Sequence, residues 1–128
     1  MSKVATAADL VVVLVFAGIG RAAHAHGLTV TGLASTAWPF LAGLAIGWCV
    51  LSVGRRDGTS VSGGLVVWIS TVVFGMIFRV ISGQGTAVAF VFVALAFLGL
   101  AMVGWRALIA WLRHGRLSRP TPEVNPGP

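Results

Sequence analysis

Residues 86–105 read TAVAFVFVALAFLGLAMVGW, and this stretch decides the fold class. It contains no charged side chain, and about 20 apolar residues in a helix are enough to cross the roughly 30 Å hydrocarbon core of a bilayer. The strands of a membrane β-barrel would instead alternate apolar and polar residues over about ten positions. Because the stretch is apolar on every side, it predicts a transmembrane helix.

Three further apolar segments share this character, and turn-forming polar residues separate them, such as GRRDG at 54–58 and SGQG at 82–85. The predicted spans are residues 4–22, 37–53, 63–81 and 86–111. Pro39 falls in the first turn of the second span, where backbone N–H groups have no intrahelical partner. The sequence therefore predicts an all-α polytopic membrane domain over residues 1–113. We expect residues 114–128 to form a basic, Pro-rich, disordered tail.

The composition excludes other classes of protein. Hydrophobic residues make up 57% of the 128-residue chain and charged residues 9%, with a mean hydropathy of +0.95, whereas a soluble domain carries about 25% charged residues. Disorder requires few large apolar residues. The net charge of +6 comes from basic residues at the ends of apolar segments, which is typical of membrane-orienting charges rather than of nucleic-acid binding. The lipid bilayer is therefore the predicted partner.

The basic residues also predict an orientation, because with four spans both termini and the middle loop share one face of the membrane. That face carries Lys3, Arg55, Arg56, Arg113, Arg116 and Arg119. The opposite face carries only Arg21 and Arg79. Positive charge stays on the cytoplasmic side, so we expect both termini in the cytoplasm.

A weak internal repeat relates the two halves of the chain. Phe16–Arg21 (FAGIGR) aligns with Phe74–Arg79 (FGMIFR), and residues 40–48 align with 97–105 if two one-residue gaps are allowed. If the repeat is a duplication, the halves are two parallel helical hairpins related by a pseudo-two-fold axis along the membrane normal. The alternative explanation is a composition that all apolar helices share.

Several motifs together resemble a known family. They are Asp9, Gly18 with Arg21, Trp38-Pro39-Phe40, Gly47-Trp48, Gly64 with Trp68, Gly75-Met76 with Arg79, Gly83 to Thr86, Phe97 to Gly99 and Gly104-Trp105-Arg106. Over about residues 5–113 the chain resembles domain-of-unknown-function family 3054, which consists of small membrane proteins of bacteria and archaea. The resemblance implies a multi-pass protein of the bacterial cell membrane, and it brings no known activity with it.

Ionisable side chains inside a membrane are costly, which makes them candidates for a functional site. Asp9 is the one acidic residue within a predicted span, about one and a half turns from its start. Arg106 lies about 30 Å along the fourth span, in the same leaflet. We predict that Asp9 and Arg106 form an intramembrane ion pair. Alternatively, the dipole of the first helix stabilises Asp9, and Arg106 extends to the headgroups.

Arg21 and Arg79 fall in the other leaflet, where no acidic residue is available. Two arginines brought together there require an anion between them, so they predict a site for a phosphate or carboxylate group, with His24 and His26 nearby. The alternative is that each arginine extends outward and stays solvated. The two histidines lack a third ligand, so no metal site is predicted.

Small residues mark the expected helix contacts. Gly43-x-x-x-Gly47 and Thr71-x-x-x-Gly75 let helix backbones approach closely. The pattern does not distinguish contacts within one chain from contacts between copies. Because four helices enclose little interior, a homo-oligomer is left open.

The sequence contains no visible catalytic set: no phosphate-binding loop, no metal-binding cluster, and no serine with a histidine and an acid at similar depth. We therefore expect no enzymatic activity and no cofactor. One remaining function is a small transporter or channel for an anion or another small solute, with Asp9 as a proton carrier. The other is a non-transporting scaffold or lipid-binding module, which requires only helix packing.

Overall fold

The computed structural model describes residues 3–23, 29–117, 122 and 127. Within them the chain forms four α-helices: α1 (Lys3–Ala23), α2 (Val30–Val53), α3 (Val61–Ile81) and α4 (Val88–Leu117). Each is long and apolar enough to cross a membrane. The prediction of an all-α chain with four such helices is confirmed. By the length and composition of its helices the chain is a multi-pass membrane protein, so the lipid bilayer surrounds it.

Helix α2 begins at Val30, seven residues before the predicted span. Thr29 caps it: this residue is extended, and its side chain accepts a hydrogen bond from Gly32 N at 3.0 Å. Pro39 therefore lies inside the helix, and the expectation that it falls in the first turn is wrong. Because proline has no N–H, the Ser35 carbonyl lacks the donor that the helix would otherwise supply four residues later.

Helix α4 begins at Val88 and continues to Leu117. Residues 114–117, which the sequence assigned to the tail, are thus helical, since no proline interrupts the chain before Pro120. Most of the remaining tail lies outside the described residues, and so do His24 and His26.

The helices form a ring in which each one contacts two neighbours. Backbone contacts join α1 to α2, α2 to α3, α3 to α4 and α4 to α1, and none joins a diagonal pair in the described part of the chain. Successive helices are antiparallel, so the N-termini of α1 and α3 lie beside the C-termini of α2 and α4. We call this the Asp9 end and the opposite end the Arg79 end. Contact is most extensive between α2 and α3 and least extensive between α1 and α4.

The small residues singled out in the sequence lie at the α2–α3 contact, within one chain. A Cβ atom built on Gly43 would lie 2.9 Å from the Thr71 carbonyl oxygen, and one on Gly47 would lie 3.1 Å from the Val67 Cα. Gly75 faces the Phe40 ring, which a Cβ atom there would approach to 2.6 Å. The absence of side chains at these positions therefore allows the two backbones to touch.

Apolar side chains fill the middle of the ring. Phe16 packs edge-on against Phe40, with ring centroids 5.2 Å apart, and contacts Phe90 and Phe97 at 5.8 and 5.7 Å. The buried residues nearer the Asp9 end include Val13, Leu44, Leu98 and Met102. This packing separates two polar regions, one at each end of the bundle.

Candidate functional site

A cavity of about 460 Å³ opens at the Arg79 end, between all four helices and the α3–α4 loop. Its polar lining residues are Arg21, Ser35, Thr36, Arg79 and Gln84, and its aromatic ones are Phe16 and Phe90. We call it the two-arginine cavity. A single chain thus encloses more interior than the sequence led us to expect, because Ala17, Gly20 and Ala87 line the wall without filling the space.

Arg79 is held on the cavity wall by the loop that follows its own helix. Its Nε and Nη2 groups donate to the Gly85 carbonyl at 3.0 and 2.7 Å, and Nη1 donates to Gln84 Oε1 at 3.0 Å. Gly83, with φ +79°, turns the chain so that these acceptors face the guanidinium. The guanidinium carbon also lies 4.3 Å from the centroid of the Phe90 ring, within cation–π distance.

Gln84 connects this loop to helix α2. Its Nε2 group donates to the Ser35 carbonyl at 3.0 Å and to Ser82 Oγ at 3.2 Å, while its Oε1 atom accepts from Arg79. Pro39 has no N–H, so the Ser35 carbonyl accepts no helix hydrogen bond from it. This carbonyl is therefore available to accept the bond from Gln84. Gln84 belongs to the Gly83–Thr86 motif, but its hydrogen bond to the Ser35 carbonyl was not predicted from the sequence. Pro39 was the available signal, but it was assigned to the wrong turn.

Arg21 lies on the opposite wall, at the C-terminal end of α1. Its Nη1 group donates to Thr36 Oγ1 at 3.3 Å. Its guanidinium lies over Gly32, where any side chain would overlap it. The structure therefore brings Arg21 and Arg79 to one cavity, while the positions of His24 and His26 lie outside the described residues.

Arg21 and Arg79 bring two positive charges to the described lining of the cavity. Asp9 and Asp57 both lie at the Asp9 end, and the described lining residues of the cavity include no carboxylate. Two like charges repel, and the repulsion is stronger in a poorly hydrated site than in water. A carboxylate or phosphate group in the cavity would be attracted by both guanidinium groups.

The second polar region centres on Asp9, which is fully buried together with Arg106. Arg106 Nη2 lies 2.7 Å from Asp9 Oδ2, and Nη1 lies 2.9 Å from Oδ1, so the pair is bidentate. Two indole groups complete the site: Trp48 Nε1 donates to Oδ2 and Trp105 Nε1 to Oδ1, each at 3.2 Å. The carboxylate thus accepts hydrogen bonds from α2 and α4.

Arg106 is satisfied by main-chain oxygens as well. Its Nε group donates to the Gly58 carbonyl at 2.8 Å, and Nη1 donates to the Met102 carbonyl at 3.0 Å. Gly64 on α3 makes room for the side chain, since a Cβ atom there would lie 2.5 Å from Arg106 Cδ. Every buried side-chain nitrogen and oxygen among the described residues has a hydrogen-bond partner. The pair therefore ties α1 and α4 to the α2–α3 loop.

Asp57 and Ser60 shape that loop. Asp57 Oδ1 accepts hydrogen bonds from Thr59 Oγ1 at 2.7 Å and from Thr59 N at 2.9 Å, and these bonds, the side-chain one first, hold the pKa of Asp57 below its ordinary value of 3.8. Ser60 caps α3 by accepting from Gly63 N at 3.0 Å, and its hydroxyl donates to the Asp57 carbonyl at 2.7 Å. This turn presents the Gly58 carbonyl to Arg106.

Comparison with known proteins gives one match. A family model described as "Protein of unknown function (DUF3054)" matches residues 6–109, which confirms the resemblance seen in the sequence motifs. No curated protein and no solved structure matches the chain.

Proposed function

This chain belongs to the DUF3054 family, whose function is unknown, and we propose that it is a small transporter-like protein that takes up an anion in the two-arginine cavity. The observation that carries this proposal is that Arg21 from α1 and Arg79 from α3 line the same cavity. Guanidinium groups bind carboxylate and phosphate through paired hydrogen bonds. We further propose that the protein is not an enzyme.

The internal repeat supports a transporter-like architecture of two parallel hairpins. Trp48 and Trp105, which the repeat relates, donate to the same carboxylate at the same distance of 3.2 Å. Arg21 and Arg79, which it also relates, line one cavity. A pseudo-two-fold axis along the membrane normal would pass close to the Asp9 carboxylate and to the two-arginine cavity. Repeats of this kind rock against each other in transporters whose site lies between them.

We propose that the Asp9 end faces the cytoplasm and the cavity opens on the outer surface. The exposed basic residues at the Asp9 end include Arg55, Arg56 and Arg113. The described basic residues at the other end, Arg21 and Arg79, are only half-exposed and face the cavity. The positive-inside rule then gives cytoplasmic termini.

In this proposal Asp9 is a structural residue rather than a proton carrier. Its two oxygens already accept four N–H donors, from Arg106, Trp48 and Trp105. Protonation would turn one acceptor into a donor that faces other donors. The ion pair therefore closes the Asp9 end while the cavity stays open at the other end.

A non-transporting, lipid-binding or scaffold function is the second candidate. The observation that favours it is the packed aromatic middle, in which Phe16 contacts Phe40, Phe90 and Phe97. Movement of an anion past these rings requires the helices to separate, whereas binding in the cavity does not.

The test is anion flux into proteoliposomes, measured with labelled chloride, phosphate and acetate. We expect saturable flux of at least one anion, reduced at least about tenfold when Arg21 and Arg79 are both changed to Gln. The matched control is Arg56→Gln, an exposed arginine at the opposite end, which should leave flux unchanged. Anion binding without flux would favour the non-transporting alternative, and neither binding nor flux would overturn the anion proposal.

A further inference from the structure

We propose that the anion bound in the two-arginine cavity carries an apolar body, so that the ligand is a small organic carboxylate or phosphate ester rather than an inorganic ion. This inference rests on the proposed function of the same cavity and specifies the class of ligand.

The cavity has a polar rim and an apolar floor. Arg21, Arg79 and Gln84 are polar lining residues at the helix ends, Phe90 lies beside the Arg79 guanidinium, and Phe16 lies deeper on α1. Phe16 lies five residues before Arg21 on α1, which is about 7.5 Å deeper along the helix. The rings of Phe16 and Phe90 are 5.8 Å apart and continue into the aromatic core through Phe40. A ligand that reaches both layers must be charged at one end and apolar at the other.

The volume of the cavity also exceeds what an inorganic anion occupies. At about 30 Å³ per water molecule, 460 Å³ corresponds to about fifteen waters. It falls in the range of small-molecule sites, which are lined mainly by apolar and aromatic groups with a few polar ones that orient the ligand. A lone phosphate or chloride would leave the aromatic floor in contact with water.

The hydrogen bonds of Arg79 fix the position of its guanidinium beside the aromatic part of the cavity. Gly85 and Gln84 hold its guanidinium at the rim, and one face of the group is covered by the Phe90 ring, 4.3 Å away. The cation and the apolar floor are therefore adjacent, and both can contact one ligand. The carboxylate or phosphate would lie at the rim and its apolar body would extend inward over Phe16.

The experiment is calorimetric titration of the full chain in nanodiscs of zwitterionic lipid with acetate, butyrate and hexanoate, and with inorganic phosphate. Each buried methylene adds about fourfold to affinity, so we expect binding to tighten about fourfold per methylene until the cavity is full. Arg79→Gln should abolish binding of all of them. Equal affinity for acetate, hexanoate and phosphate, all dependent on Arg79, would overturn this inference and leave the proposed function intact. Binding of none of them would overturn both.

A matched pair of glycine variants tests whether the apolar body lies in this cavity. Gly20 lines the cavity, and a Cβ atom on it meets nothing within 4 Å. The leucine side chain of Gly20→Leu should therefore fill the space and remove the increase in affinity from acetate to hexanoate. Gly18→Leu places the same side chain two residues away, also in open space, and should retain that increase. If both variants keep this increase in affinity, the apolar part of the ligand binds elsewhere and the inference is wrong.

A second series of titrations distinguishes a lipid headgroup from a soluble organic anion as the ligand. Hexanoate is titrated again after an anionic phospholipid, phosphatidic acid, is added to the nanodiscs. Weaker hexanoate binding in the presence of phosphatidic acid identifies a lipid headgroup as the source of the charged group. Unchanged hexanoate affinity identifies a soluble organic anion.

Discussion

Burying a carboxylate and a guanidinium side by side costs several kcal/mol of lost hydration for each ion. In this protein the cost is offset at Asp9 and Arg106 by two paired hydrogen bonds, two indole donors and two main-chain carbonyls. Such a pair contributes little net stability as a whole, yet the loss of one partner leaves the other charged and alone.

Changing Asp9→Asn should therefore destabilise the protein strongly. The amide would direct an NH₂ group at the donors of Arg106 and an indole, and Arg106 would lose its counter-charge, so we expect a loss of about 3–5 kcal/mol in the free energy of unfolding. Denaturant unfolding in detergent measures it. The control is Arg56→Gln, an exposed charged residue at the same end, with an expected change within about 0.5 kcal/mol. Similar losses for both variants would contradict a structural role for the buried pair.

The Asp57 carboxylate gives a pH-dependent prediction. Because its folded pKa lies below the ordinary 3.8, chiefly through the Thr59 hydroxyl, its contribution to stability is present above that value and is lost as the pH falls through the folded pKa. Thr59→Val removes the largest cause. We expect the pKa of Asp57, followed by NMR of the carboxyl carbon, to rise toward 3.8 in this variant. An unchanged pKa would contradict the role of the Thr59 hydroxyl in lowering it.

Helices α2 and α3 touch along glycines, and the closest approach to backbone atoms is at Gly43. Gly43→Ala would place a methyl group 2.9 Å from the Thr71 carbonyl oxygen and 3.0 Å from the Ser70 carbonyl oxygen. Because these are backbone atoms, the helices must separate, at a cost of about 1–3 kcal/mol. Thermal unfolding should detect the loss. Gly104→Ala in α4, where a Cβ atom meets nothing within 4 Å, should be neutral, and equal stability of both variants would argue against close α2–α3 packing.

The α3–α4 loop couples Gln84 to the charge of Arg79. Gln84→Glu places a carboxylate about 3.0 Å from Arg79 Nη1, where the amide oxygen lies now. The new acid would neutralise one guanidinium, so anion affinity should fall at least about tenfold. The thermal stability should fall as well, because a carboxylate cannot donate a hydrogen bond to the Ser35 carbonyl. Calorimetric titration with the carboxylates and phosphate named above measures the anion affinity, and thermal unfolding measures the stability. Gln84→Met, which adds no charge, should reduce affinity less, and the reverse order would exclude an electrostatic role.

For the molecule in its membrane, the proposed orientation predicts which loop a reagent can reach. In a Cys49→Ser background, Ser82→Cys should react with a membrane-impermeant maleimide added to intact cells, because this orientation puts the α3–α4 loop at the outer face. Arg56→Cys, in the α2–α3 loop, should react only after the cells are opened. Labelling of Arg56→Cys from outside would reverse the orientation and put the cavity on the cytoplasmic side.

Much of the ion pair and the helix contacts followed from residue position alone. Asp9 and Arg106 are at matching depths because each residue advances a helix by about 1.5 Å, and small residues four apart fall on one helix face. Residue position alone did not predict that the buried pair is hydrogen-bonded to Trp48, Trp105 and the Gly58 carbonyl. These hydrogen bonds depend on the rotation of each helix about its own axis and on the Asp57–Ser60 turn.

The amino-acid sequence by itself determined the number of spans, the apolar middle and the depth of each charged residue, because membrane insertion depends on a sum of transfer free energies along each segment. Only the tertiary structure decided that Arg21 and Arg79 share one cavity. The tight α2–α3 contact, the small residues of the wall and the capture of the Ser35 carbonyl by Gln84 leave that space open. These contacts join residues far apart in the chain, so their geometry exists only once all four helices have packed.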